Sequence, residues 1–278
     1  MNIARTLLAA CPLFAGMAPA LAAEPALPLW EAGVFGGTAV TPAYPGASER
    51  STRNLALPYL IYRGKVLRAD RSGVGARLLD TDRLDFDIGF ALSLPARSSD
   101  VPARRGMPDL GTRVEFGPRL TIKLAEPTQH SRLGLELPLR AVIEARGGLR
   151  RQGATFEPRL VYGLQDAQQA WQVDASVGAV FGNAAINDYL YGVNPAFATA
   201  ERLAYAAKSG LMLTRLGLGG SYRLQREWRA FAFLRYDNYA SAANRTSPLL
   251  RQNSGTSAGI GLLWTWQRSS RPARGADD

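Results

Sequence analysis

Hydrophobic and polar residues alternate at every second position over stretches about twice as long as an average strand of five or six residues. From Leu84 to Leu94 every even-numbered position is apolar, whereas the positions between them hold small or acidic residues. Such a period of two predicts strands with one apolar and one polar face. The same alternation recurs in three further stretches: 114–124, 133–143 and 171–181.

Segments of this kind predict twelve antiparallel strands. The alternative is ten strands, if the segment Lys65–Leu79 is irregular. The predicted starts lie near Trp30, Arg53, Lys65, Gly73, Arg83, Thr112, Arg132, Ala154, Ala170, Gly210, Trp228 and Thr256.

The predicted connections alternate in length along the chain. Those after strands one, five, seven, nine and eleven are long, including Pro95–Gly111, Asn183–Ser209 and Ala240–Gly255, whereas most of the others are tight turns such as Asp80–Asp82. Long connections therefore lie at one rim, and the tight turns lie with both termini at the other. Bacterial outer-membrane barrels have short periplasmic turns and longer extracellular loops, so we expect the termini in the periplasm.

Strands of ten or eleven residues are long enough to cross the apolar layer of an outer membrane. A soluble β-sandwich or lipocalin-like barrel also alternates, because one face of its sheet is a dry core. Strand length, polar faces with charges of both signs, and aromatic residues near strand ends favour the membrane barrel. We predict an all-β, transmembrane, antiparallel up-and-down β-barrel over residues 23–267. The predicted interfacial aromatics are Trp30, Trp171, Trp228, Tyr236, Trp264 and Trp266.

Residues 1–22 have the features of a secretory signal peptide. Arg5 precedes the apolar stretch Leu7–Phe14, and Ala20–Ala22 supplies a small-x-small cleavage site. Cys11 is the only cysteine, so the mature protein would contain neither a disulfide nor a thiolate metal site. At the other end, a polar tail is expected from residue 268 to residue 278.

The formal net charge of +10 is carried almost entirely by arginine. Arginine pairs bidentately with phosphates and carboxylates. Because the arginines are spread along the chain and not clustered, we do not expect a nucleic-acid partner. Solvated loop charge is the simplest role for the arginines in predicted outer loops, and contact with lipopolysaccharide phosphates is the more specific hypothesis. These residues are Arg104, Arg105, Arg146, Arg150, Arg151 and Arg245.

Five segments together resemble the MipA/OmpV family, named for interaction with the murein lytic transglycosylase MltA. They are Pro42–Ser48, Leu57–Tyr59, Gly73–Asp80, Tyr189–Pro195 and Ser257–Leu262, and the resemblance runs over essentially the whole mature chain. The tyrosine-glycine-valine-x-proline piece is the most specific. The loop residues that carry the resemblance are Tyr44, Gly46, Tyr189, Tyr191, Gly192, Val193 and Pro195.

This resemblance implies an outer-membrane protein, in contact with lipid and lipopolysaccharide, that needs no cofactor. It also implies a scaffold that links a murein lytic transglycosylase to a penicillin-binding protein. A small porin-like channel and an adhesin are the alternatives. Since a small barrel with many charged inward side chains is expected to be plugged, we rank the scaffold above the channel.

The sequence shows no pattern of catalytic residues, and we predict that the chain is not an enzyme. His130, the single histidine, falls in a predicted periplasmic turn. Asp85 and Asp87 share a face, but in a barrel they point into the lumen, where ion pairs are expected. Gly217–Gly220 lies within a strand, which argues against phosphate binding. The cations expected to neutralise the two aspartates are Arg113, Arg119, Lys123, Arg132 and Arg140.

Overall fold

The computed structural model describes residues 28–63, 67–70 and 73–271. The predicted signal peptide and residues 272–278 of the predicted tail lie outside these ranges. No helix in the described ranges is both long enough and apolar enough to span a bilayer.

The described residues form thirteen strand segments, and one α-helix, α1, spans Ala184–Tyr191. The strands are β1 (Trp30–Pro42), β2 (Arg50–Arg63), β3 (Leu67–Asp70), β4 (Gly73–Asp80), β5 (Leu84–Ser93), β6 (Thr112–Thr128), β7 (Ser131–Ala145), β8 (Leu149–Phe156), β9 (Arg159–Gln165), β10 (Trp171–Gly182), β11 (Gly210–Arg223), β12 (Trp228–Asn238) and β13 (Ser254–Arg268).

Sequential strands pair antiparallel, and the sheet closes on itself. Val34 of β1 lies opposite Trp264 of β13, so the first and last strands are neighbours. β10 pairs with β11 from Trp171–Tyr222 to Gly182–Gly210, which completes the ring. Closure pairs the backbone groups that an open sheet would leave exposed at its edges. The predicted all-β, up-and-down barrel is confirmed.

The eighth position of the barrel is shared by two segments. Both β8 and β9 pair with β7 on one side and β10 on the other, so thirteen segments occupy twelve positions. The interruption falls at Glu157 and Pro158, because proline has no N–H for a ladder. The sequence predicted one strand from near Ala154, whereas the structure begins at Leu149 and breaks once.

One predicted long connection is absent from the described barrel. β7 runs to Ala145 and β8 starts at Leu149, so only residues 146–148 form the loop after the seventh strand. Gly147 and Gly148 have positive φ angles, which allow this tight reversal. Arg150 and Arg151, predicted in a loop, therefore lie in β8.

Apolar side chains cover the outside of the barrel. On β13, Ile260, Leu262 and Trp266 are exposed, whereas Ser257 and Thr265 on the opposite face are buried. The five tryptophans lie near the rim that carries the termini, where Trp228, Trp264 and Trp266 form stacked and edge-on pairs with ring centroids about 6 Å apart. Tyr236 lies near the other rim, and the interfacial role of these rings stays a prediction.

Candidate functional site: the capped lumen

Four connections fold over the long-loop rim and pack against one another. We call residues 43–49, 94–111, 183–209 and 239–253 the cap. Side chains from all four form one apolar cluster with inward residues of the strands below. Tyr191 and Leu249, at 0% exposed, lie in the cap. Because large side chains in an open channel would be wet, this burial shows that the cap covers the rim.

Helix α1 is fixed to the inner wall at its first turn. The Asn183 Oδ1 accepts hydrogen bonds from the N–H groups of Ile186 at 3.2 Å and Ala154 at 3.1 Å, so one side chain caps the helix and joins it to β8. On β8, Gly153 lies next to Asn183 and the first turn of α1 and has a φ of 128°. A Cβ on Gly153 would collide with Asn183 and Ile186, so glycine permits the close approach.

Family-signature residues from two separate loops meet in the cap. The Tyr44 hydroxyl donates to the Leu249 carbonyl at 2.6 Å, and the Ser247 hydroxyl donates to the Tyr191 carbonyl at 2.6 Å. Gly46 lies in a turn and has a φ of 85°. Its carbonyl accepts hydrogen bonds from the backbone N–H groups of residues 251 and 252, in the segment that also contains Ser247 and Leu249. The segment 239–253 thus lies between the two signature loops and connects them.

Two residues that the sequence did not single out complete the cap. Asn244, 1% exposed, accepts from the Lys208 N–H at 2.8 Å and donates to its carbonyl at 2.8 Å. Tyr239 is buried beside the signature tyrosines. Since buried polar groups need partners, the reciprocal Asn244 pair ties the last two long connections together.

The structure corrects the predicted exposure of Arg104. This side chain is 3% exposed, lies 5.7 Å from the Tyr44 ring centroid and donates to the Leu190 carbonyl at 3.1 Å. Its guanidinium therefore stabilises the cap and does not reach the surface. Arg245 also holds its own loop, through hydrogen bonds to Asn253 and Leu250.

The other predicted lipopolysaccharide contacts lie closer to solvent. Arg146 pairs loosely with Glu144 at 3.7 Å and keeps 45% of its side chain exposed. Arg105, Arg150 and Arg151 are exposed. For these four arginines, contact with lipopolysaccharide stays a prediction.

Below the cap, ion pairs line the lumen. Asp87 pairs with Arg119 at 2.6 Å, as the sequence predicted for this aspartate. Two of the other predicted cations pair with different carboxylates: Arg140 binds Glu157 at 3.2 Å and Arg132 binds Asp174 at 3.3 Å. Separate ion pairs between nearby strands therefore line the lumen wall.

One group of these ion pairs is centred on Arg215. Its guanidinium binds Asp237 at 2.7 Å and Glu157 at 2.9 Å, and Glu157 also binds Arg140. The Arg215, Glu157 and Asp237 side chains are 20%, 10% and 8% exposed. One cation thus links three barrel positions, those of β11, β12 and the β8–β9 break.

The residues considered for chemistry from the sequence lie in separate parts of the described barrel. His130 lies in the two-residue turn between β6 and β7. Gly217–Gly220 lies inside β11. Among the described residues, no group of three or more histidine, cysteine, aspartate or glutamate side chains is arranged to hold a metal.

Buried tyrosines predict that the cap loosens in alkali. Burial raises the pKa of Tyr44 to about 12, and burial also raises the pKa values of Tyr191 and Tyr239. A tyrosine with a raised folded-state pKa stabilises the cap fully below about pH 10, and this contribution is lost as the pH rises through about 12. We expect protease cleavage in residues 183–209 to increase sharply over that interval, with tyrosinate absorbance rising in parallel.

The matched variant for this titration is Tyr44→Phe, which keeps the ring and removes the ionisable hydroxyl. It should weaken the cap by about 1–3 kcal/mol at neutral pH, because the Leu249 carbonyl loses its donor. Its alkaline transition should be shallower than that of the parent protein. Tyrosines that all titrate near pH 10 while the loop stays protected would contradict the coupling.

The sequence as a whole matches one protein family. The model of the family described as MltA-interacting protein MipA matches residues 34–266, from β1 into β13. The chain belongs to the MipA family. As a member of this family, it is an outer-membrane β-barrel. The two signature loops that meet in the cap both lie inside the matched region.

Solved outer-membrane proteins are similar at low identity. An outer membrane channel from Pseudomonas putida is 10% identical over 86% of this chain and 96% of its own, with a TM-score of 0.42. The NanC porin is 11% identical over 84% and 98%, with a TM-score of 0.39. Outer membrane phospholipase A from Escherichia coli is 11% identical over 84% and 92%, with a TM-score of 0.37. A comparison with curated proteins finds no match.

Proposed function

We propose that this barrel is a non-enzymatic docking protein for a murein lytic transglycosylase, which it holds beside a penicillin-binding protein. Membership of the family described as MltA-interacting carries the proposal, because the match runs through almost every strand. A scaffold protein needs a stable binding surface and does not need catalytic groups. The ion pairs in the lumen and the packed cap provide that stability.

The docking surface in this proposal is the short-turn rim, which we place in the periplasm. Murein enzymes act on that side of the outer membrane, and outer-membrane barrels have their short turns there. The cap covers the opposite rim, with Tyr191 and Leu249 fully buried. A lumen covered by packed loops supports a scaffold over a channel, because the cap lies across the path that solutes would take.

The hairpin of β6 and β7 offers a specific place on this rim. The last pair between β5 and β6 is Leu84–Ile122, whereas β6 and β7 continue to the pair Thr128–Ser131. Residues 123–128 are all exposed. A groove of about 410 Å³ beside them is lined by Asp82, Lys123, Leu124, Ala125 and Glu126. We call this the rim groove.

The proposal is tested by capture of partners from crosslinked cell envelopes, followed by mass spectrometry. We expect a lytic transglycosylase and a penicillin-binding protein among the captured proteins. In the proposed interface, Asp82 and Glu126 face basic groups of the partner. The charge-reversal pair Asp82→Arg and Glu126→Arg should therefore reduce capture by more than tenfold, since like charges across an interface cost several kcal/mol. Glu201→Arg, in an exposed part of the cap, is the control and should leave capture unchanged.

The scaffold function and the choice of the rim groove as its docking surface can be rejected separately. Repeated capture without a murein hydrolase would contradict the scaffold function itself. Normal capture by the Asp82→Arg, Glu126→Arg variant would reject the rim groove and leave the docking function in place.

A further inference from the structure

One arginine in the upper lumen, the part next to the cap, has no hydrogen-bond acceptor among the described residues. Arg235 lies on the inward face of β12, directly opposite Gly217 of β11 and two residues before Asp237. Within the described ranges its guanidinium donates no hydrogen bond and forms no ion pair, and its Nε atom is buried. A buried charge without a partner costs free energy, so Arg235 needs an acceptor that the described residues do not supply.

The charges around Arg235 do not balance. Its charge interacts with those of Arg215, Asp237 and Glu157, which places its guanidinium on the β11 side of β12. Both carboxylates are already bound: Arg215 binds Asp237 at 2.7 Å and Glu157 at 2.9 Å, and Arg140 binds Glu157 at 3.2 Å. The buried Nε atom of Arg140 also lacks an acceptor among the described residues. Three arginines therefore share two carboxylates, and one positive charge is left over.

The wall beside Arg235 leaves room for a small ligand. A Cβ added to Gly217 would lie 2.6 Å from the Ser176 hydroxyl, so this hydroxyl leans over the glycine from β10. A Cβ added to Gly219, the next inward residue of β11, would meet no heavy atom within 4 Å among the described residues, apart from its chain neighbours. The Ser176 hydroxyl has no hydrogen-bond partner in the described part of the chain. Arg235 and Ser176 thus border the same small space, and both can donate to a ligand there.

The charge and the donors together favour a monovalent anion in this space. Charged and hydroxyl donors bind anions through short, charge-assisted hydrogen bonds. Water would accept these hydrogen bonds without removing the surplus positive charge. Tyr239, two residues beyond Asp237, stays neutral because burial raises its pKa, so it does not supply the missing negative charge. One negative charge would balance the three arginines and two carboxylates, whereas a divalent anion would exceed that balance.

We propose that a small monovalent anion of the chloride class binds in the upper lumen over Gly217. The Arg235 guanidinium and the Ser176 hydroxyl would donate to it. Because such an anion binds the folded barrel and not the unfolded chain, it would stabilise the fold by mass action. This site is independent of the proposed docking function.

Crystals of the mature barrel grown with bromide in place of chloride test the site directly, because bromide gives a strong anomalous signal. We expect an anomalous peak over Gly217, within hydrogen-bond distance of Arg235 and Ser176. Arg235→Met should lose this peak. The matched control is Arg132→Met, which removes a cation that is 62% exposed from another part of the lumen and should keep the peak. A position that refines as water, without anomalous signal, would overturn the site.

Urea unfolding in phosphatidylcholine vesicles measures binding in solution. Sodium chloride is compared at equal ionic strength with sodium gluconate, whose anion is too large for the space over Gly217. With chloride at about a hundred times its Kd, the folding equilibrium constant of the parent should rise about a hundredfold. Ser176→Ala should reduce this gain about tenfold, as expected when one hydrogen bond to a charged group is lost.

Arg235→Met should remove the chloride gain entirely. In gluconate it should be at least as stable as the parent, because it removes a buried charge that has no partner there. Heat-modifiable mobility in gels checks that each variant still forms the barrel. If Arg235→Met is less stable than the parent by the same factor in both salts, Arg235 acts through Asp237 and Glu157, and the anion site is overturned.

The crystal and the solution must agree. A bromide peak in crystals without a chloride gain in solution would show binding at crystal concentration only, which would also overturn the proposal. A chloride gain that persists in Arg235→Met would place the bound anion elsewhere and reject this site. Either failure leaves the proposed docking function in place, since capture of murein enzymes tests a different surface.

Discussion

Replacing residues 184–208 with a short glycine-serine linker is expected to turn a barrel without stable conductance into one that opens discrete steps in planar bilayers. The replacement removes α1 and the rest of that cap loop. With it go the Leu190 carbonyl that binds Arg104 and the Tyr191 carbonyl that binds Ser247. Loss of these contacts should uncover a lumen that already holds open space beside Gly219.

A suitable control changes the same loop without touching the buried side of the cap. Leu203 is 69% exposed, so Leu203→Ser should keep the parent's silent recordings. If the parent barrel already conducts as strongly as the loop replacement, the cap is no barrier to ions and the porin-like alternative is favoured over the scaffold. Conductance in the loop replacement alone would show that the cap, and not the ion-paired wall, closes the protein.

The barrel wall was predictable because lipid and lumen impose opposite requirements on alternate residues. Apolar side chains face lipid and polar side chains face the lumen, so the sequence of each strand alternates with a period of two. The break within the eighth strand was missed, although Pro158 inside an alternating run signals it. The length of β7 was missed because Glu144 and Arg146 look like loop residues, whereas Glu144 accepts from the Gly111 N–H and the Tyr189 hydroxyl in the cap.

The cap was less predictable because its contacts join distant parts of the chain. Tyr44 and Leu249 are 205 residues apart and meet through one hydrogen bond. Arg104 reads as a surface arginine beside Arg105, and only the Tyr44 ring and the Leu190 carbonyl explain its burial. The signature residues were identifiable through resemblance alone. Their convergence is a property of tertiary packing that alternation does not encode.

The ion pairs in the lumen fall into two classes that differ in solvent exposure. Pairs in the upper lumen, such as Arg215–Asp237, are enclosed on both sides by protein. Pairs at the mouth, such as Arg132–Asp174, are wet. Desolvated pairs become costly when one partner is lost, whereas wet pairs are screened by solvent. The two classes should therefore respond very differently to the same substitution.

Arg215→Met is expected to destabilise the barrel by about 3–5 kcal/mol, because it leaves the Asp237 and Glu157 carboxylates enclosed without their shared cation. Urea unfolding in phospholipid vesicles, followed by tryptophan fluorescence, measures the loss. Arg132→Met is the matched control at the lumen mouth. Its pair is 3.3 Å long and mostly exposed on the arginine side, so it should cost less than about 1 kcal/mol.

Neutralising the orphaned carboxylate should recover most of the loss. In the double variant Arg215→Met, Asp237→Asn, an amide of nearly the same shape replaces the carboxylate that paired with Arg215, while Glu157 keeps its ion pair with Arg140. Equal losses for Arg215→Met and Arg132→Met, or no recovery in the double variant, would mean that enclosure below the cap does not strengthen these pairs.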